Sequence, residues 1–256
     1  MKIDKDTLYP FLVYNQPINY DDNIILYPIS MKDFFSFQIM SKAITVRKNS
    51  IFRDKKIIKM SYLDFLIYSF KNSELEEQYE IAGLSQYLVL AIQLIQLCCK
   101  DAEIRINIEK GIQIYINDVL LTHNVFDDLR RIIIIQNDID FDIDEFINYD
   151  TQKQLEKSQQ YLNRKSEKVG IEDYIDSLVI AMNTTEDVVM NMSIRKFWRY
   201  LKRYQLFESY KILKTGECSG MVTFKEPIKY WMSSLDIEDK YGHLKANEDE
   251  IRGKMG

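Results

Sequence analysis

The chain reads as a mainly α protein with a small inserted antiparallel β unit, followed by a C-terminal helical domain. Eight glycines and four prolines in 256 residues leave little material for the tight turns of an all-β fold. Apolar residues recur at three and four spacing through several segments, the pattern of buried helix faces. Around Ile104 to Ile116 the period changes to two, the mark of a hairpin. At this length one large domain or two small ones fit.

From Met1 to Ile29, Pro10, Pro17 and Pro28 interrupt short apolar runs such as Ile24 to Tyr27, which predicts an arm of extended segments and turns. Ser30 with Asp33 three positions on forms a capping signal, and Phe34, Phe35, Phe37 and Met40 predict a helix from about Met31 to Thr45. A basic loop, Arg47 to Lys56, precedes the same signal at Ser61 and Asp64, which opens a second helix through Ser69. Leu75 to Lys100 reads as one long helix, with Leu84, Tyr87, Leu88, Ala91, Leu94 and Ile95 on its buried face.

Ile104, Ile106 and Ile108 then alternate with polar residues, Glu109 to Gly111 turns, and Ile112, Ile114 and Ile116 alternate again. Asn117-Asp118 turns into a third short strand, Val119 to Thr122, and so small a sheet must pack on helices. Val125 to Ile135 suits a helix, while the four isoleucines from Ile132 to Ile135 equally suit a buried strand. Beyond Gly170, helices are predicted over Ile171 to Met182, Thr185 to Met190 and Ile194 to about Thr215, with caps at Thr184 and Ser193. The resulting division is an N-terminal arm plus helical domain with its hairpin near 103–122 (residues 1–150), a polar helical linker (151–169), a C-terminal helical domain (170–235) and a charged tail (236–256).

With 46% hydrophobic, 29% charged and 12% aromatic residues the chain has the composition of an ordinary globular protein. The 34 basic against 39 acidic residues give a net charge of −5, which argues against a whole-protein attraction to nucleic acid or an anionic membrane. No secretory or transit signal is expected at Met1 to Pro10, and the apolar stretch Tyr87 to Cys99 is too short to span a bilayer. Cys98, Cys99 and Cys218 form no even framework, so reduced thiols and a cytoplasmic site are expected.

Chemistry-bearing patterns are few. Gly216-Glu217-Cys218-Ser219-Gly220 has the spacing of a nucleophile elbow, but it follows a predicted helix, where Gly216 is the expected left-handed stop. Only His123 and His243 are available as bases. Asp138, Asp140, Asp142 and Asp144 resemble the start of a calcium loop, yet Ile143 stands where the sixth-position glycine is required. No catalytic residue, metal or cofactor is therefore expected, and the chain reads as a non-enzyme.

The segment Ile194 to Tyr210 is amphipathic, with Ile194, Phe197, Trp198, Leu201 and Tyr204 on one face. Arg195, Lys196, Arg199, Lys202 and Arg203 form a basic back, ordinarily a solvated side and otherwise a contact for a polyanion or an acidic protein.

The run Gly170 to Ile175, followed by Thr184 to Trp198 with its Met190-Asn191-Met192, resembles the C-terminal helical segment of tailed-phage tail assembly chaperones. Tyr27 to Phe34 and Ser219 to Lys225 are similar to segments of phage and prophage products from A/T-rich hosts. The chain departs from that pattern at Asn183 and Thr184, where many such chaperones carry a Gly-Trp pair, and in its hairpin and N-terminal arm. The resemblance implies a non-enzymatic assembly factor in the host bacterial cytoplasm that binds the tape measure protein and tail tube subunits; a homo-oligomer is compatible with it. Met190, Met192, Phe197, Trp198 and Leu201, with Arg195 and Arg199 around them, are then the expected partner-binding residues, because methionine repacks readily against varied helices. Two rival readings are a structural component retained in the tail or baseplate and a nucleic-acid-binding regulator using the basic back.

Overall fold

Asp4 begins a helix where the prolines had predicted extended chain. In the computed structural model, which describes residues 3–109, 111–143, 169–220, 222–224 and 226–235, α1 (Lys5–Tyr14) contains Pro10. The Asp4 carboxylate accepts from the Thr7 amide at 2.8 Å and the Thr7 hydroxyl at 2.7 Å. Leu8 and Leu12, one turn apart, are both buried. A helix-interior proline costs about 3 kcal/mol. Burying two leucines returns about 1.5–3 kcal/mol each and the cap about 1 kcal/mol, so the helix wins.

The rest of the arm is extended as predicted, in β1 (Ile18–Asn19) and β2 (Ile25–Leu26), paired antiparallel. The thread from Leu26 to Met31 is held along its length. Tyr27 N donates to Cys98 O (2.8 Å) and Gln136 Nε2 to Leu26 O (3.1 Å), while Ile29 N donates to Asn137 Oδ1 (3.1 Å). These bonds satisfy a buried extended backbone that has no full sheet of its own.

The helix predicted from Met31 to Thr45 is α2 (Phe34–Ser41), its ends tightened into 3-10 turns at Met31–Asp33 and Lys42–Ile44. The basic loop holds two short helices, α3 (Lys48–Ile51) and α4 (Lys55–Lys59). The cap on α5 (Tyr62–Lys71) forms as read: Asp64 N donates to Ser61 Oγ at 3.0 Å and Ser61 Oγ donates to the Asp64 carboxylate at 2.7 Å.

The single helix predicted from Leu75 to Lys100 is broken into α6 (Glu74–Tyr79), a turn, and α7 (Tyr87–Cys98). Glu80 and Gly83 take left-handed conformations between them, with φ of 54° and 77°. The Glu76 carboxylate fastens the break by accepting from Gly83 N (3.1 Å), Ser85 N (2.7 Å) and the Ser85 hydroxyl, which hold its pKa below the ordinary value. Glycine tolerates that φ at no steric cost, so the apolar periodicity on either side did not carry through.

The predicted meander is present as β3 (Ile104–Asn107), β4 (Gln113–Ile116) and β5 (Val119–Leu120), antiparallel and in that order. The ambiguous isoleucine run is helical: α8 (His123–Gln136) is capped by Thr122, whose Oγ1 accepts from Val125 N at 3.3 Å. In the core α7 packs on α2 and α5, and α8 packs on α5 and α1. Phe52, Phe65 and Phe126 are fully buried there, with Phe52–Phe65 edge-on at 5.5 Å and Phe126 stacked on Tyr62 at 6.0 Å.

The C-terminal helices are α9 (Ile171–Met182), α10 (Glu186–Met190) and α11 (Ile194–Cys218). Two compact units result, Met1–Phe197 and Trp198–Gly256. The predicted linker 151–169 lies outside the described residues except for Val169, and the predicted tail 236–256 lies wholly outside them.

Cys98 and Cys99 are buried on α7 and Cys218 is exposed. Burial raises the Cys98 thiol well above its ordinary pKa and pushes Cys99 up to about 12. An alkylating reagent at neutral pH is therefore expected to modify Cys218 alone in the native protein and all three thiols after denaturation, which intact mass reads directly.

Candidate functional site

The helices that carry the expected contact residues are built locally. At the start of α9 the Asp173 carboxylate accepts from Gly170 N at 2.7 Å, and Glu172 adds negative charge at the positive end of the helix dipole. Asn183 ends α9 in the left-handed region, with φ of 47°, and Thr184 N donates back to Val179 O at 3.1 Å. The predicted cap at Thr184 gives way to Thr185, one residue on, which precedes α10. Leu178 and Val189 turn inward, whereas Ile180, 78% exposed, faces solvent together with Met182 and Val188.

The link from α10 to α11 is fastened to the N-terminal thread. Met31 N donates to Met192 O and Ile194 N donates to Ile29 O, each at 2.9 Å, making an antiparallel bridge between Ser30 and Ser193. Met190 and Met192 are half-buried at this junction. Lys196 N donates to Ser193 Oγ at 3.4 Å, the predicted cap.

Arg195 departs from the solvated basic back. It is only 4% exposed, and its Nη1 donates to Leu12 O at 3.0 Å, while Lys196 Nζ donates to Val13 O at 2.7 Å. Both carbonyls belong to the last turn of α1, which has no basic residue of its own, so two cations from a distant helix complete its C-terminal end. Phe197 is fully buried.

In the second unit Leu201 is buried and Trp198 and Arg199 are half-buried. The chain beyond α11 returns along that helix: Trp231 meets the Phe207 ring edge-on at 5.1 Å and Tyr230 meets Tyr210 at 5.7 Å. Arg203 Nη1 donates to Trp231 O and, at 3.0 Å, to Ser233 O. Arg203 thus also serves the fold rather than a solvated face. The sequence signal for this strap was the Tyr230-Trp231 pair after Pro227, opposite aromatics spaced at three on α11.

The remaining sequence candidates resolve differently. Gly216 does not stop the helix; it lies inside α11, which runs on to Cys218, and Gly220 carries the positive φ of 71°. Cys218 thus ends a helix instead of standing on a strand-to-helix turn. Asp138 adopts a left-handed turn, and Phe141 in the acidic strip lies under the guanidinium groups of Arg47 (4.4 Å) and Arg130 (5.4 Å); Asp144 lies outside the described residues. Among the described residues no three histidine, cysteine or carboxylate side chains are grouped to hold a metal ion.

A pocket of about 290 Å³ lined by Ile3, Asn19, Tyr20, Asp21, Asp128 and Ile132 lies at the small end of the range for ligand sites. Within it Tyr20 donates to the Asp128 carboxylate at 3.0 Å, and burial together with that bond pushes the phenol up to about 12. No helix among the described residues is long and apolar enough to cross a membrane.

Residues 163–236 match the model of a phage-derived family described as YomV second domain, 74 of the 256 residues. No curated protein and no solved structure matches the chain. The family match takes in α9, α10, α11 and the aromatic strap, and it points to a phage protein.

Proposed function

We propose that the chain is a phage tail assembly chaperone that acts in the host cytoplasm, covering helices of the tape measure protein and bringing tail tube subunits to them, with no bond made or broken. The observation that carries this reading is the exposure of Ile180, Met182 and Val188 on α9 and α10, inside the segment that matches a phage family. Glu172, Asp173, Asp176, Glu186 and Asp187 lie on the same two helices. An apolar patch carried with carboxylates suits an amphipathic helix whose flanks are basic. Half-buried Met190 and Met192 follow on the same segment with adaptable side chains, and half-buried Trp198 and Arg199 are contacts of the second unit by itself in this reading. Buried Phe197, Leu201 and Arg195 then contribute by holding the helices in place.

Co-expression with the tape measure product of the same phage tests the reading. The wild-type chain should co-purify with it, and Ile180→Asp with Val188→Asp should lower the affinity at least tenfold, about 1.4 kcal/mol, without moving the thermal midpoint. No capture by the wild type would refute the function; undiminished capture by the double variant would refute the surface.

A further inference from the structure

Two charged triads have the same spacing and opposite sign. Lys55, Lys56 and Lys59 lie on α4, and Glu172, Asp173 and Asp176 lie on α9, each set at positions n, n+1 and n+4. On an α-helix n+4 stands about 6 Å along the axis from n, between n and n+1 in direction, so the two sets form matching triangles. All six residues are exposed, and the residues buried on the same helices, Ile57 and Leu178, lie on the opposite sides.

The surrounding sequence sharpens the contrast. Between Phe34 and Leu63 stand seven basic residues against Asp54 alone, whereas between Val169 and Ile194 stand five carboxylates and no lysine or arginine. Two of the cations serve the fold: Arg47 lies over the Phe141 ring at 4.4 Å and Lys48 Nζ donates to Met60 O. The lysine triad has no such role. Among the described residues no ion pair or hydrogen bond engages its ammonium groups, and none engages the Glu172 or Asp176 carboxylate. Like charges four apart on a helix repel, so each triad is a cost to the isolated chain that an opposite surface would relieve.

We propose that the triads are the two halves of a contact between copies of this chain, the α4 lysines of one copy seated on the α9 carboxylates of the next. Charge complementarity at matched spacing selects this occupant. A polyanion would satisfy the lysines and leave the carboxylates bare, whereas a second copy satisfies both. Ile180, one turn beyond Asp176 on the same outward face and 78% exposed, brings apolar area to the contact. The two patches differ, so the contact is heterologous and association can pass beyond a pair. Exposed ion pairs are individually weak, so the contact is concentration-dependent and salt-sensitive. This inference does not rest on the chaperone reading; it makes a second copy a competitor of any partner for the α9 face.

Sedimentation of the full chain over a concentration series tests this, at about 0.1 M salt, where the Debye length is about 10 Å, and at about 1 M, where it is about 3 Å. The wild type should associate in the first condition and return towards monomer in the second. Lys55→Glu with Lys56→Glu and Lys59→Glu should abolish association. Glu172→Lys with Asp176→Lys should do the same while sparing the bond from Gly170 N to Asp173. Thermal midpoints should hold, because the positions are exposed; should one fall, Lys59→Glu alone and Asp176→Lys alone carry the same test. Mixed one to one, the two variants should pair and stop at a heterodimer, since each presents the half that the other has lost. A wild type still monomeric at roughly 500 µM in the lower salt would overturn the contact. So would a variant that associates like the wild type, or a mixture that fails to pair. Binding of a single-stranded oligonucleotide that the lysine variant loses, without self-association, would instead assign the lysines to a polyanion.

Discussion

Phe197→Ala is expected to lower the free energy of unfolding by about 3–5 kcal/mol, read as a shift of the urea midpoint at constant slope. The ring is fully buried, so truncation loses its transfer free energy and leaves a cavity that its packed neighbours cannot fully close. Such a loss is a large share of the 5–15 kcal/mol that holds a typical protein folded. Loss of partner capture by this variant would therefore report unfolding, even though Phe197 lies on the stripe that the sequence offers as a contact. Ile180→Ala supplies the contrast: at an exposed helical position its effect on stability should stay within about 0.5 kcal/mol.

Arg130→Ala is expected to cost about 3–5 kcal/mol, for reasons that are polar rather than apolar. Arg130 is 7% exposed on α8; its Nε donates to Ile44 O and its guanidinium lies 3.7 Å over the Tyr62 ring. Tyr62 in turn donates to Ala43 O at 2.9 Å and accepts from Val46 N at 3.0 Å. Two side chains from α5 and α8 thereby satisfy a buried corner of backbone where the Lys42–Ile44 turn ends. Truncating the arginine strands the Ile44 carbonyl, worth about 1–3 kcal/mol, removes a desolvated cation–π contact worth about 2 kcal/mol, and opens a void. Arg130→Lys should recover less than half of the loss, because an ammonium lacks the planar group that stacks on Tyr62 while donating sideways. Thermal unfolding of the three proteins checks this order.

Legibility varied with how local the deciding interaction was. The Ser61–Asp64 cap and the Ile104 to Ile116 hairpin involve residues close in sequence, and both form as read. The break at Glu80 to Gly83 was hidden because the apolar stripe behind the single-helix reading starts only at Leu84 and does not report on the residues before it, and the carboxylate that fastens the break reaches seven and nine residues along the chain. α1 escaped notice because a proline inside a helix is a strong local veto, overturned by burial of Leu8 and Leu12. At the candidate site, the 3.6 period marked a greasy stripe from Ile194 to Leu201, and Phe197 and Leu201 are buried. It missed Ile180 and Val188, which stand out by being exposed, a property that periodicity does not report.

Residue order alone establishes a mainly α chain, its small antiparallel meander and the amphipathic character of α11, because helix and strand periods and caps depend on neighbours a few positions apart. Which greasy face is covered and which arginine is withdrawn from water depend on contacts such as Arg195 to Leu12, 183 residues apart. Spacing shows that a face is apolar, and the folded chain alone shows what lies against it.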